Sequence, residues 1–264
     1  MKRGLIIYNN KDAEKNKWLI EQCLTSFAEL GISLSFLLEE EVLDFIKHQP
    51  VDFAIYRGRD YKISEALEKK GARVFNSSLT NKTANDKYLS YLFLKENELP
   101  CVETYLKAKE LAFPYVMKSV DGHGGKEVFL INSKKEESNI LKEYLHKKFV
   151  YQEFIKNDGD ARLYILNNQF VTAIIRHNPN DFRSNYTLGG DVAVFKPNQA
   201  LIDIAIKISR LLAADYIGID FIKVGDKYFV NEIEDPVGSR MVYKLTDIDI
   251  VELFIKHIKK TLNE

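Results

Sequence analysis

The chain has 264 residues, 45% of them apolar, enough for two compact lobes or one large α/β domain and unlike a disordered chain. Lysine plus arginine equals aspartate plus glutamate at 38 each, so the whole-molecule charge recruits neither nucleic acid nor an anionic membrane. The two cysteines, Cys23 and Cys101, lack metal-ligand spacing, and the apolar run at residues 5–8 is too short for a signal segment or membrane span; a reducing cytoplasm is the expected setting.

The first eighty residues alternate strand and helix signals. Residues 5–8 read as a strand, and residues 14–30 as a helix, with Trp18, Cys23, Leu24, Phe27 and Leu30 at helical spacing before Gly31. Strands follow at 32–38, 51–56 and 73–75, with a helix over 63–70. This βαβ pattern predicts a small parallel sheet wrapped by helices. No glycine fingerprint follows the first strand, so the lobe is expected to shape a cleft rather than to bind a dinucleotide.

A helix is predicted over 83–97, stopped at Leu99-Pro100. Strands at 113–118 and 127–131 then flank Asp121-Gly122-His123-Gly124-Gly125-Lys126, which reads as a hairpin. Glycines there let backbone N–H groups approach phosphate oxygens, although the same residues suit a plain flexible turn. Lys118, at the end of the entering strand, is placed as a point charge for a phosphate. The G-x-x-x-x-G-K-[ST] spacing is absent, which excludes a P-loop. A charged helix over 134–148 has a solvated face. The strand at 149–155 carries Gln152 and Glu153, ordinary strand residues whose backbone edge could pair with a purine.

Arg162 opens a strand to residue 166, Asn167-Asn168 turns, and a strand at 170–176 returns to Arg176. Arg183 lies in a polar loop that closes with Gly189-Gly190. The hairpin brings Arg162 and Arg176 to one end, where guanidinium groups bind phosphate or carboxylate bidentately; separate surface ion pairs are the alternative. A further hairpin around Gly225-Asp226 puts Asp220 opposite Glu232, and Glu234 shares Glu232's face at period two. Three acids converging repel one another without a cation, and oxygen donors favour Mg²⁺ or Mn²⁺; exposed acids beside Lys223 and Lys227 are the alternative.

From about residue 85 onward the sequence resembles the RimK-like branch of the ATP-grasp ligases. The matches are Asn85-Asp86-Lys87, the lysine and glycine loop at 118–125, Gln152-Glu153-Phe154-Ile155, Asp160-Ala161-Arg162, Phe182-Arg183-Ser184-Asn185 with Gly189-Gly190, Gly218-Ile219-Asp220 and Asn231-Glu232-Ile233-Glu234. The resemblance implies an α/β fold: a parallel-sheet pre-grasp domain over 1–80, then two α+β subdomains clamping ATP, a lid over 81–150 and a metal-bearing part over 151–264. It implies that Lys87 and Lys118 contact ATP phosphates beneath Gly122, Gly124 and Gly125. Glu153, Phe154 and Ile155 would frame the adenine beside Gln152, and Asp160 would approach the ribose. Arg183 and Asn185 would reach the triphosphate and an acyl-phosphate, with Arg176 and Arg162 in the same catalytic group, and Asp220, Glu232 and Glu234 would hold Mg²⁺ or Mn²⁺.

The implied activity is ATP-dependent amide or peptide bond formation between a carboxylate and an amine, each a small molecule or a peptide, with no nucleic acid or membrane partner and with self-association common in the family. A kinase of a small metabolite and a non-catalytic nucleotide-binding protein remain the alternatives. Two departures stand out. Glu234 replaces the Asn of the family's Glu-x-Asn, a negative charge expected to tighten metal binding or shift metal preference. The usual Ser-Pro-Gly is Asp235-Pro236-Val237-Gly238, followed by Ser239-Arg240, which predicts a remodelled substrate end.

Overall fold

The computed structural model describes residues 2–109, 111–157, 159–178 and 191–263. Four apolar strands open the chain: β1 (Arg3–Tyr8), β2 (Ser33–Leu38), β3 (Phe53–Tyr56) and β4 (Arg73–Phe75) pair in parallel in the order β2-β1-β3-β4. The connections are α1 (Asn10–Lys15), α2 (Lys17–Glu29), α3 (Glu39–His48) and α4 (Tyr61–Lys69). β1 and β3 are buried on both faces, which is why they are unbroken apolar runs rather than alternating ones. The single helix expected over 14–30 is two, because Asn16 ends α1 with its side chain on the Asp12 carbonyl at 2.7 Å. Trp18, expected on the inner face, is 53% exposed and meets Tyr243 edge-on at 5.2 Å.

Gly4 faces Phe53 across the β1–β3 register, and a Cβ at Gly4 would stand 2.1 Å from the Phe53 ring tip. Gly4→Ala is therefore expected to lower stability by about 1–3 kcal/mol through overpacking, read as a lower urea midpoint at unchanged slope.

The helix expected over 83–97 is also interrupted. α5 (Ser78–Ala84) ends, and α6 (Lys87–Glu96) begins at Asp86, whose carboxylate accepts from the backbone N–H groups of Tyr88 and Leu89, both at 2.9 Å. The Asn85-Asp86-Lys87 motif is thus a helix start. Next comes a small antiparallel sheet: β5 (Tyr115–Ser119), β6 (Val128–Ile131), α7 (Lys134–Glu143) and β7 (Phe149–Glu153), in the order β6-β5-β7. Tyr115, Met117, Ile131, Phe149 and Tyr151 form its core, with Ile140 of α7 packed on it. β7 runs through residue 150, the expected subdomain boundary, and is hydrogen-bonded into this sheet.

The third sheet is antiparallel throughout: β8 (Asp160–Leu166), β9 (Gln169–His177), β10 (Asp191–Val194), then α8 (Gln199–Leu211), β11 (Tyr216–Val224) and β12 (Lys227–Glu234), ordered β10-β9-β8-β11-β12. One face, with Leu163, Ile165, Ala173, Ile217 and Ile219, packs on Leu201, Ala205 and Ile208 of α8. The other, with Tyr164, Ile174 and Tyr216, packs on Ile6, Tyr8 and Phe53 of the parallel sheet; α9 (Arg240–Leu245) and α10 (Ile250–Asn263) complete that layer. Asn76 pins the two sheets together: its side chain donates to Tyr216 O at 2.8 Å and accepts from the Asp215 and Tyr216 N–H groups. Among the described residues no helix is long and apolar enough to cross a membrane.

Candidate active site

Alternation along the strands of the third sheet makes the site. Tyr164 and Ile174 belong to the face that packs on the parallel sheet, and residues two or four positions away on the same strands share that face. They are charged: Arg162 and Asp160 on β8, Arg176 on β9. On β11 and β12, Asp220 stands opposite Glu232, and Glu234 stands opposite Gly218, with a register shift beside Asp220. One polar row therefore replaces the apolar one at the end of the sheet that faces the small sheet.

The row is tightly paired. Arg162 donates from Nε to Asp220 Oδ1 at 2.6 Å, and from NH2 to Asp220 Oδ2 and Glu234 Oε1, each at 2.7 Å. Arg176 donates from NH2 to Asp220 Oδ2 at 2.6 Å and, through a two-point contact, to Asp160. The sequence placed both arginines at one end of their hairpin, and that is where they lie. Their guanidinium groups, however, are met by carboxylates rather than presented to an open anion site. Asp160, expected at the ribose, lines the cleft but is engaged by Arg176.

Asp220, Glu232 and Glu234 bring carboxylate oxygens within 4.8 Å of one another. Burial alone would raise the Asp220 carboxyl, but Arg162 and Arg176 outweigh it and hold it down at about 2. Glu232 is also lowered: burial opposes ionisation, and Lys87 and Lys118 overcome it. Glu234 is raised, by burial first, with Arg162 opposing and the neighbouring acids adding to the shift. Side chains of Glu232 and Glu234 remain 22% and 24% exposed, and Glu232 lines the cleft. Oxygen-only donors at this spacing, gathered on one face of the sheet, fit a hard divalent cation. The charge that Glu234 adds relative to the family's Asn is met by Arg162.

Lys118 of β5 faces this row across the cleft. It is 7% exposed, donates to Asn231 Oδ1 at 2.8 Å, and burial pushes its ammonium down to about 8. Lys87, at the start of α6, lies 3.5 Å from Glu232 and donates to the Gly122 carbonyl at 2.6 Å, tying the glycine loop to the acids. Gly124 and Gly125 take φ of +67° and +73°, a conformation that favours glycine. Ser119 and Lys147 hold the loop's Asp121 at 2.7 and 3.0 Å.

The cleft holds a cavity of about 90 Å³ that opens to solvent. Gln152, Glu153, Phe154 and Ile155 line it with Gly125, Lys118, Asp160, Arg176, Asp220 and Glu232. Gln152 is buried and donates to Thr104 Oγ1 at 2.8 Å, so it braces the β7 edge. Gly122 and Gly124 are not among the lining residues, and Arg183, Asn185, Gly189 and Gly190 lie outside the described residues. Apolar walls from Val102, Val116 and Ile222 were not read from sequence; they are unremarkable until the fold gathers them. Asn231, directly before Glu232, was legible as part of its motif but not as the partner of Lys118.

Beyond Glu234 the chain is held fast. Asp235 accepts from Asn76 and Asn81 side chains, each at 2.9 Å, its carbonyl accepts from Asn85 at 2.7 Å, and Arg57 donates to Val237 O at 2.6 Å. The departure from Ser-Pro-Gly is thus matched by a set of asparagines, a coupling that could not be anticipated from either stretch alone.

Comparison with known proteins agrees with this geometry. A family model described as a RimK-like ATP-grasp domain matches residues 86–258. The Mycoplasma genitalium protein MG011 is 29% identical, covering 97% of this chain and 92% of that protein. The alpha-aminoadipate–LysW ligase LysX of Saccharolobus solfataricus is 24% identical, covering 91% and 96%. The crystal structure of a RimK domain ATP-grasp protein from Sphaerobacter thermophilus matches with a TM-score of 0.77 at 16% identity, over 97% of this chain and 98% of that one. A cleft between two antiparallel sheets, with lysine on one and acids on the other, is the ATP-grasp architecture. Within it the chain belongs to the RimK-like family, and its activity class is that of an ATP-dependent carboxylate–amine ligase.

Proposed function

We propose that the chain joins a carboxylate to an amine through an acyl-phosphate, with an amino acid or peptide as one substrate and Mg²⁺ or Mn²⁺ at Asp220, Glu232 and Glu234. The observation that carries this reading is the facing of Lys118 and the acid row across one cleft, where Lys118 donates at 2.8 Å to Asn231, the residue before Glu232. Glu153, Phe154 and Ile155 offer the edge against which an adenine stacks and pairs, and Lys118 and Lys87 supply positive charge to the phosphates. A divalent cation bound by the three acids supplies charge neutralisation on the phosphate oxygens. The glycine loop, tethered by Lys87, excludes water from an intermediate that hydrolysis would destroy. Asp160 is assigned to the ribose side of the cleft, and Arg176 and Arg162 act near the departing phosphate through the acids they hold. The roles given to Arg183 and Asn185, at the triphosphate and the acyl-phosphate, rest on their sequence motif.

The Saccharolobus relative is named for joining alpha-aminoadipate to LysW, so small amino acids and peptide chains both belong in the substrate panel. The test is ADP release with Mg-ATP, hydroxylamine and a panel of carboxylates. A carboxylate-dependent hydroxamate, identified by mass spectrometry, is the expected product. ADP without hydroxamate would instead indicate transfer to an alcohol, and AMP would contradict the acyl-phosphate route.

A further inference from the structure

Arg162 reaches farther than a cross-strand pair requires. It sits on β8, directly opposite Asp220 on β11, yet its NH2 also bonds Glu234, one strand farther on β12. The residue between, opposite Glu234, is Gly218. A Cβ at Gly218 would stand 2.7 Å from Val237 Cγ2, 3.3 Å from Arg162 Cδ and 3.4 Å from Glu234 Cβ, so the missing side chain is the passage through which the arginine crosses the sheet.

We propose that Arg162 is a positioning residue of the metal site: passing over Gly218, it clamps Asp220 to Glu234 and fixes their oxygens at metal-binding separation before the cation arrives. The glutamate at 234 is the far jaw of this clamp. Carboxylate oxygens within 4.8 Å repel one another, and without a shared donor they separate. One planar guanidinium presents donors in a fixed fork and can bridge two carboxylates, which a lysine ammonium does only as a point charge. An asparagine at 234 would be one methylene shorter and uncharged. The substitution of glutamate there and the reach of Arg162 are therefore two parts of one device.

This inference rests on the reading of Asp220, Glu232 and Glu234 as metal ligands. Its test is calorimetric titration of Mn²⁺ into the full chain, with and without a non-hydrolysable ATP analogue. Arg162→Gln is expected to weaken Mn²⁺ binding roughly 10- to 100-fold, the usual cost of losing a group that orients metal ligands. Arg162→Lys should fall between it and the wild type. Gly218→Ala keeps every charged group but obstructs the passage, and it should weaken Mn²⁺ binding in the same direction, which keeps the test open where Arg162→Gln does not fold. Equal or tighter Mn²⁺ binding by Arg162→Gln would make Arg162 a bystander or a competitor and overturn the proposal. Wild-type binding lost in Gly218→Ala but untouched in a folded Arg162→Gln would overturn it too. A wild type that binds no Mn²⁺ under either condition would remove the metal reading itself, a failure distinguishable from that of the clamp.

Discussion

Asp220→Asn is expected to lose turnover by about 10²- to 10³-fold or more and also to unfold at markedly lower urea. The stability loss follows from pairing. Asp220 accepts three hydrogen bonds from two buried arginines, whose further carboxylate partners among the described residues are Glu234 and Asp160. Breaking a buried ion pair by removing one partner costs about 3–5 kcal/mol because the remaining charge stays buried. An amide retains one acceptor oxygen, so two of the three bonds lose their charge and one loses its acceptor. The activity loss has a separate cause, the removal of a negative ligand from the cation site. Urea denaturation and ADP release measure the two effects independently. A wild-type denaturation midpoint would refute the paired-charge account, and turnover within tenfold of wild type would refute the assignment of Asp220 to the metal.

That separation bears on what sequence reveals about such a site. The opposition of Asp220 and Glu232 was legible because a tight turn at Gly225-Asp226 fixes an antiparallel register, and Arg162 and Arg176 were legible by the same rule around Asn167-Asn168. What joins the two hairpins was not. β11 pairs with β8, placing Asp220 opposite Arg162, through a connection that includes β9, β10 and α8, and no local spacing announces that neighbour. The arginines therefore read as anion-binding groups when their partners are acids of the same chain. In the parallel sheet, β1 and β3 were plain from their apolar runs, whereas the break at Asp86 was overridden by continuous apolar spacing on either side of a good N-cap. The helical spacing of α8 behind the Asn198 cap, with Leu201, Ala205 and Ile208 on one face, is a local signal of the same kind as those that identified the earlier helices.

Lys118→Met is expected to show the opposite pattern from Asp220→Asn: turnover down by about 10²- to 10³-fold, with a raised KM for ATP, and stability changed by less than about 1.5 kcal/mol. Lys118 lies almost fully buried, and burial pulls its ammonium down to about 8, so folding draws little from its charge. Methionine keeps most of the unbranched stem's volume. It leaves Asn231 beside the open cleft, where water can replace the lost donor, and it leaves Lys87 to face Glu232. For a bound triphosphate the same burial has the reverse effect. A poorly hydrated ammonium has little water to surrender and attracts an anion in a medium less screening than bulk water. Lys118→Arg should not rescue activity, because a longer, forked guanidinium cannot keep the point contact that the buried ammonium makes with Asn231. Equilibrium denaturation paired with ATP-dependent ADP release decides the matter: a variant as destabilised as Asp220→Asn would make Lys118 a structural partner of the acid row, and one that turns over normally would remove it from the phosphate site.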